Sequence, residues 1–248
     1  MLLKTEISSD VGCVRANNED MILCGGDFFR NRSSKQIVEL SDTARFAAIV
    51  ADGMGGHGGG EFASKIALDN FDDFILHLLE GLNEDEIASS LKRWVDETHR
   101  LILKKSNELP GCEGMGSTFC GLLFLGEMVF ALNVGDSRLY RFRGGILKQL
   151  TTDHSIRQLT GDSSQDKNMI YNSLGGGESA FIDIKNLSGQ MLTEDMYLIC
   201  SDGLSDMLPD EETEWILNEN PSAEALITAA KNGGGRDNVS VILLKIIG

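Results

Sequence analysis

Phe46-Ala47-Ala48-Ile49-Val50-Ala51 runs without a polar residue into Asp52-Gly53-Met54-Gly55-Gly56-His57. A short apolar run bounded by glycines reads as a buried strand. Its end delivers a carboxylate, and the glycines leave space around it. The pattern returns at Tyr197-Leu198-Ile199-Cys200-Ser201-Asp202-Gly203, and Asp237 stands just before a last apolar strand at Val239–Ile247. A lone Asp-Gly is usually a turn. Three acids aimed from strand ends read instead as oxygen donors for a metal, and metal beside open space points to hydrolysis.

The segments around these strands set the architecture. Met21–Cys24 is an early strand, and Gly25–Arg45 is a polar insertion or hairpin region. Its basic cluster of Arg30, Arg32 and Lys35 reads as a solvated loop, with an anionic substrate or partner as the alternative. Apolar residues from Phe62 to Leu79 recur at helical spacing. Asn83 with Glu86 predicts a capping box for a second helix carrying Ile87, Leu91, Trp94, Val95 and Ile102. Thr118–Leu125 and Met128–Val134 form a hairpin about Gly126-Glu127, and Arg138–Arg143 and Ile146–Leu150 follow across Gly144-Gly145. Strands in such close succession pair antiparallel, because parallel pairing needs long crossovers. Two late helices are predicted near Asp210–Asn218 and Pro221–Lys231, the second capped by Asn220. Helices, then strands, then helices predict an α+β fold with two mainly antiparallel sheets between helical layers.

Composition narrows the function. The formal charge is −16, from 22 basic and 38 acidic residues, which disfavours nucleic acid or an anionic membrane as partner. No apolar run reaches the length of a spanning helix, and the first residues lack a signal pattern, so a cytoplasmic protein is expected. Five cysteines without a C-x-x-C pair fit a reducing compartment, and Cys200 reads as a core residue. None opens a C-x5-R loop, Asp52-Gly53-Met54 is not the Asp-x-Asp of an aspartyl nucleophile, and Gly55–Gly60 is not followed by Gly-Lys-Ser/Thr. Crowded carboxylates repel one another unless cations separate them. With no His or Cys cluster, Mg2+ or Mn2+ is favoured over Zn2+.

Seven motifs occur in order. They are Arg15-Ala16-Asn17-Asn18-Glu19-Asp20, Asp52-Gly53-Met54-Gly55-Gly56, Gly116-Ser117-Thr118, Gly135-Asp136-Ser137-Arg138, Leu150-Thr151-Thr152-Asp153-His154-Ser155, Ser201-Asp202-Gly203 and Gly235-Arg236-Asp237-Asn238. From Arg15 to Val239 the set resembles the type 2C metal-dependent protein phosphatases, the PPM family, in their compact bacterial form. The resemblance implies a four-layer αββα sandwich, one catalytic domain across residues 1–248, and hydrolysis of phosphoserine and phosphothreonine in proteins. By motif match Asp52 bridges two ions with the Gly53 carbonyl on one of them, and Asp202 and Asp237 complete the other. By the same match Glu19 and Asp20 would hold metal-bound waters or lie in the outer shell, Arg15 would grip the phosphate, and Asp136 would help bind a third, looser ion with Asp202. Paired divalent ions draw the pKa of water towards about 7, so no serine or cysteine nucleophile is needed.

Animal and plant relatives often carry histidine directly after the Asp-Gly, where this chain has Met54. His57 is the candidate leaving-group acid, with a structural place in the loop as its alternative. His154 reads as a loop anchor. The family's flap corresponds to a short, polar segment near 156–173. The expected partners are phosphoproteins made by a Ser/Thr kinase, and the chain is expected to act as a monomer. The competing reading is a silent binding module with this fold, which would have no chemical need for Asp52, Asp202 and Asp237 together.

Overall fold

The computed structural model describes residues 1–162, 164 and 169–248, with the His57 side chain outside that description. The chain opens with β1 (Leu2–Asp10), β2 (Met21–Cys24), β3 (Asp27–Phe29), β4 (Ser33–Glu39), β5 (Arg45–Ala51) and β6 (Gly53–Met54). Helices α1 (Gly59–His77) and α2 (Glu84–Glu108) follow, then β7 (Gly116–Ser117), β8 (Phe119–Leu125), β9 (Met128–Val134), β10 (Arg138–Arg143) and β11 (Ile146–Gln149). The rest is α3 (Ile156–Thr160), β12 (Asp183–Asn186), β13 (Met196–Cys200), α4 (Asp202–Ser205), α5 (Asp210–Glu219), α6 (Ala223–Asn232) and β14 (Val239–Ile246).

Two six-stranded sheets have the orders β11-β10-β13-β14-β1-β4 and β12-β9-β8-β5-β2-β3. Every pairing is antiparallel. Strand residues alternate between faces, and here both faces are covered. Ala47, Ile49 and Ala51 of β5 pack against Phe71 of α1 and Trp94 of α2. Phe46, Ala48 and Val50 face the other sheet, with Ile199 and Ile242 in the same cluster. On the far side Leu198 and Val241 pack against Ile216 of α5 and Leu226 of α6. Three apolar layers between four layers of structure explain why β5 and β13 read as unbroken hydrophobic runs, and they bear out the αββα sandwich.

Local signals hold where the side chain itself closes the element. Asn83 Oδ1 accepts from Glu86 N at 3.1 Å while Glu86 Oε2 accepts from Asn83 N at 2.9 Å, completing the capping box of α2. The hairpin at Gly126-Glu127 joins β8 to β9 with Leu125 opposite Met128. The start of α6 differs from the expectation. Ser222, not Asn220, is its cap, and its Oγ accepts from Ala225 N at 3.1 Å. Asn220 instead closes α5, so Pro221 lies between the helices.

The 25–45 region is also corrected. It contains β3 and β4, and β4 pairs with β1 along seven positions from Leu2↔Glu39 to Ser8↔Ser33. Arg30 is not a solvated loop residue. Its guanidinium donates to Asp20 O at 2.8 Å and to Glu61 Oε1 at 2.6 Å, fastening the segment before β2 to the first turn of α1. Arg32 lies 4.3 Å over the Phe29 ring, and Lys35 pairs with Glu6 at 3.2 Å. All five cysteines are free thiols, and Cys200 is fully buried.

Candidate metal centre

Asp52 follows the last residue of β5, at the end of the paired sheets. Its N–H donates to Thr118 Oγ1 at 2.9 Å, and its carbonyl accepts from Thr118 N at 2.9 Å, so β7 and the start of β8 hold the turn from both sides. Gly53 then passes against α1. A Cβ on Gly53 would lie 2.0 Å from Gly60 O and 2.6 Å from Glu19 O, contacts no side chain could make. Glycine here is required by close backbone approach, as the motif suggested.

The other acids arrive from separate segments. Asp202 begins α4 directly after β13 and Ser201, and Asp237 precedes β14. Gly203 permits the crossing between them, because a Cβ there would fall 1.9 Å from Asn238 O. Asn238 ties in the N-terminal loop. Its Oδ1 accepts from Glu19 N at 2.8 Å, and its Nδ2 donates to Val11 O at 3.0 Å and Asn17 O at 2.9 Å. Arg15, on that loop, donates to Asp237 Oδ2 at 2.6 Å, with its side chain 55% exposed.

Asp20 is fully buried. Ser201 Oγ donates to its Oδ2 at 2.8 Å, and Ser240 N donates to Ser201 Oγ at 3.0 Å. Ser240 Oγ continues to Ser9 Oγ at 3.0 Å, where Asn18 Nδ2 also donates at 2.9 Å. This hydroxyl chain positions Asp20 but leaves its Oδ1 without a hydrogen-bond partner. A buried acceptor with no donor is costly unless something else meets it.

Electrostatics ties the acids into one cluster. Burial first, then the charges of Asp20, Asp202, Asp136 and Asp237, push Asp52 well above the usual carboxylate range. Asp20 is raised to about 7 by burial, against the pull of Ser201 and Ser240, with Asp202 and Asp237 adding to the rise. Asp136 is raised to about 8 by burial and then by Asp202 and Asp153. Glu19 is raised by burial, against the opposing charge of Arg15.

These residues fit a hard divalent cation. They offer carboxylate and carbonyl oxygens under mutual repulsion, with one buried acceptor unmet. A Cβ on Gly60 would lie 2.6 Å from Gly53 O and 2.8 Å from Glu19 Oε2, so its absence keeps a cradle open between those two oxygens. Among the described residues, no three His, Cys, Asp or Glu side chains converge into a ready-made cage. The carboxylates sense one another over longer distances than direct ligation. A small ion that retains several waters needs few direct carboxylate contacts.

The remaining candidates fall into place around this end. Asp136 sits between β9 and β10, in a loop held by His154. The His154 Nδ1 accepts from Gly135 N at 3.1 Å and from Asn172 Nδ2 at 2.7 Å, while Nε2 lies 3.1 Å from Asp183 Oδ2. An accepting Nδ1 puts the proton on Nε2, so His154 is the loop anchor the sequence suggested. Arg138 grips Asp153 with Nε at 3.0 Å and Nη2 at 2.6 Å, fixing the segment before His154 to β10. Met54 pairs with Gly116 in β6–β7. The side chain of His57 lies outside the described residues, as do positions 163 and 165–168 of the flap segment. Sequence reading gave no role to Ser201, Ser240 and Asn238. For Ser201 and Asn238 the available signal was a polar residue at a strand end beside an acid, where solvent or a partner must be met; Ser240, inside β14, carried no such signal.

Comparison with known proteins adds independent findings. A family model described as protein phosphatase 2C matches residues 34–232. The serine/threonine phosphatase stp of Listeria monocytogenes serotype 4b is 34% identical over 257 residues, covering 98% of this chain and 96% of its own. The serine/threonine protein phosphatase PstP of Mycobacterium tuberculosis is 33% identical across 100% of this chain, which spans 46% of PstP. The solved catalytic domain of PstP in complex with 2 manganese ions matches with a TM-score of 0.74 at 29% identity over 100% of both chains. The solved structure of the S. agalactiae serine/threonine phosphatase matches with a TM-score of 0.81 at 26% identity, covering 98% of this chain and 99% of its own.

Proposed function

The chain belongs to the protein phosphatase 2C family, and from that premise we propose that Asp52, Asp202 and Asp237 are the catalytic metal-binding residues. The protein is a metal-dependent phosphoprotein phosphatase acting on phosphoserine and phosphothreonine. None of the relatives described above supports the alternative of a silent binding module.

Asp52 with the Gly53 carbonyl, Asp202 and Asp237 would hold a core pair of Mg2+ or Mn2+ ions. Asp136 with Asp202 would serve a third, and Glu19 and Asp20 would lie around them as acceptors for water. Bound ions supply a nucleophile from water near neutral pH and offset charge on phosphate oxygens. The chain's own residues place the substrate. A guanidinium has five N–H donors in a planar fork. Arg15 uses one nitrogen on Asp237 and is half exposed, so the rest of its fork can grip a phosphate bidentately. His154 and Arg138 keep the Asp136 loop in place, and Asn238 keeps Arg15 beside Asp237. The proposal extends to one catalytic domain across 1–248, working as a cytoplasmic monomer against the products of a Ser/Thr kinase. No helix among the described residues is long and apolar enough to cross a membrane.

The observation that carries the assignment is the shared charge of Asp20, Asp52, Asp136, Asp202 and Asp237 at one end of the sandwich. The test is turnover of p-nitrophenyl phosphate with Mn2+ or Mg2+, with Mn2+ binding followed by calorimetry. Turnover should need the ion, vanish in chelator and survive thiol alkylation. Equal turnover in excess chelator overturns the assignment.

A further inference from the structure

Helices α5 and α6 leave a groove of about 560 Å³ on the outer face of the molecule. Glu212, Trp215, Ile216 and Glu219 line it from α5. Their i, i+3, i+4, i+7 spacing puts them on one stripe of the helix. Ala225 and Ala229 form the opposing floor on α6, and their small side chains leave room beside the indole. Trp215 is 64% exposed, while Ile216 below it is 7% exposed. The indole stands open above buried Ile216 and between the exposed Glu212 and Glu219, and Trp is among the residue types enriched at contact surfaces.

The rim is of one sign. Glu212 and Glu219 stand on α5 and Glu224 at the start of α6, and the lining contains no Lys, Arg or His. The ion pairs found elsewhere on the surface, such as Lys65–Asp69 and Lys245–Glu194, have no counterpart here among the described residues. An electron-rich indole face framed by three carboxylates complements a guanidinium or ammonium group.

The groove also points towards the catalytic end. Asn232 closes α6 and lines it, and the chain continues through Gly233–Gly235 to Asp237. Five Cα steps of about 3.8 Å put Asn232 within roughly 19 Å of Asp237. Cys13, on the loop that carries Arg15, donates its N–H to Gly235 O at 2.7 Å, so the same turn supports both features.

We propose that the α5–α6 groove docks an Arg- or Lys-bearing segment of the phosphoprotein substrate while the phosphoresidue sits at Arg15 and the acid cluster. The proposal rests on the phosphatase reading and adds a substrate class to it. Glu224 lies eight residues back along α6 from Asn232, about 12 Å at about 1.5 Å per residue, and an extended peptide advances about 3.3 Å per residue, so the cationic residues fall within about ten positions of the phosphoresidue.

The test compares the Mn2+-loaded protein on two phosphothreonine peptides, one with three arginines at that spacing and one with glutamines in their place. The arginine peptide should have a KM lower by about fivefold or more at low ionic strength, and salt should erase the difference. Trp215→Ala, and separately Glu212→Gln with Glu219→Gln and Glu224→Gln, should remove the preference. Turnover of p-nitrophenyl phosphate should stay unchanged. The same neutralisations at Glu80, Asp96 and Glu97, on and beside α2, should leave the preference intact. Binding is read without catalysis through tryptophan fluorescence, because Trp94 is 3% exposed and Trp215 is open. The unphosphorylated arginine peptide should perturb that signal in wild type and not in Trp215→Phe. Equal KM for the two peptides, a preference that survives the groove variants, or one lost equally in the α2 variants overturns the proposal. Groove-dependent self-association without peptide binding overturns it too, in favour of a second copy as occupant. Absent p-nitrophenyl phosphate turnover with peptide binding intact sinks the phosphatase reading instead.

Discussion

Asp195 and Asp202 flank the two ends of the same five-residue strand, β13, and the fold treats those ends in opposite ways. Asp195 is 2% exposed. Burial alone would raise its pKa. The Arg143 guanidinium and the Leu192 N–H pull it below the usual carboxylate range instead. Arg143 donates through Nε and Nη2 at 2.5 Å each, and Leu192 N at 2.9 Å. At the other end Asp20 has hydroxyl donors but an unmet oxygen, and its neighbours Asp202 and Asp237 raise it further. An acid the fold needs arrives with its own cation. Acids grouped without enough cation are strained by their neighbours, and such strain marks a site that acts on something else.

The largest effect expected from this contrast is at Asp202. Asp202→Asn should lower p-nitrophenyl phosphate turnover by about a thousandfold or more, roughly 4 kcal/mol of lost transition-state stabilisation. Its melting temperature in chelator should hold or rise, because one repelling charge is gone. A variant that unfolds while its remaining folded fraction stays active would reverse the roles assigned to the two ends.

Asp195→Asn is the mirror experiment. The bidentate bond to Arg143 is lost and a charged group loses its counterion, which costs about 2 kcal/mol, or about 4–8 °C in melting temperature for a chain of this size. Activity per folded molecule should not change. If kcat falls in a variant whose melt is normal, the closed end reaches the chemistry and the contrast fails.

The two ends were also unequally legible in the sequence. Asp52, Asp202 and Asp237 stood out because each follows or precedes an apolar run, and burial on both faces keeps those strands free of polar residues. The capping box at Asn83 was legible because it closes with residues three apart. Strand β1 was not. Its Thr5, Glu6, Ser8 and Ser9 are buried, so its alternation is hidden, and the strands that flank it, β4 and β14, lie far along the chain. Strand β4 sits at a sheet edge with Ile37 68% exposed, so its hydrophobic signal pointed outwards. Arg30 read as a loop cation because Glu61, 31 residues on, is not a neighbour until α1 folds beside β2. The hydroxyl chain from Asp20 to Ser9 joins residues up to 231 positions apart, a separation no local pattern encodes.

Glu6 sharpens the contrast with a smaller effect. Its side chain is 8% exposed, and its cations are Lys4 at 2.9 Å and Lys35 at 3.2 Å, which are 48% and 62% exposed. Lys35 is its cross-strand partner in β4. Burial raises the Glu6 pKa, and the two lysines more than reverse that, leaving it below the ordinary value of 4.5. A depressed folded pKa means that the stabilisation is fully present above the unfolded value and is lost as pH falls through the folded one. Hydrated lysines screen most of the attraction, so Glu6→Gln should cost only about 0.5–1 kcal/mol at neutral pH. Denaturation curves of wild type and variant should converge as pH falls below 4.5 and through the depressed folded pKa of Glu6, and at high salt near neutrality. A loss as large as that of Asp195→Asn would mean that exposed lysines hold a buried acid as firmly as Arg143 does. The contrast would then rest on burial of the acid alone, and not on the cation that comes with it.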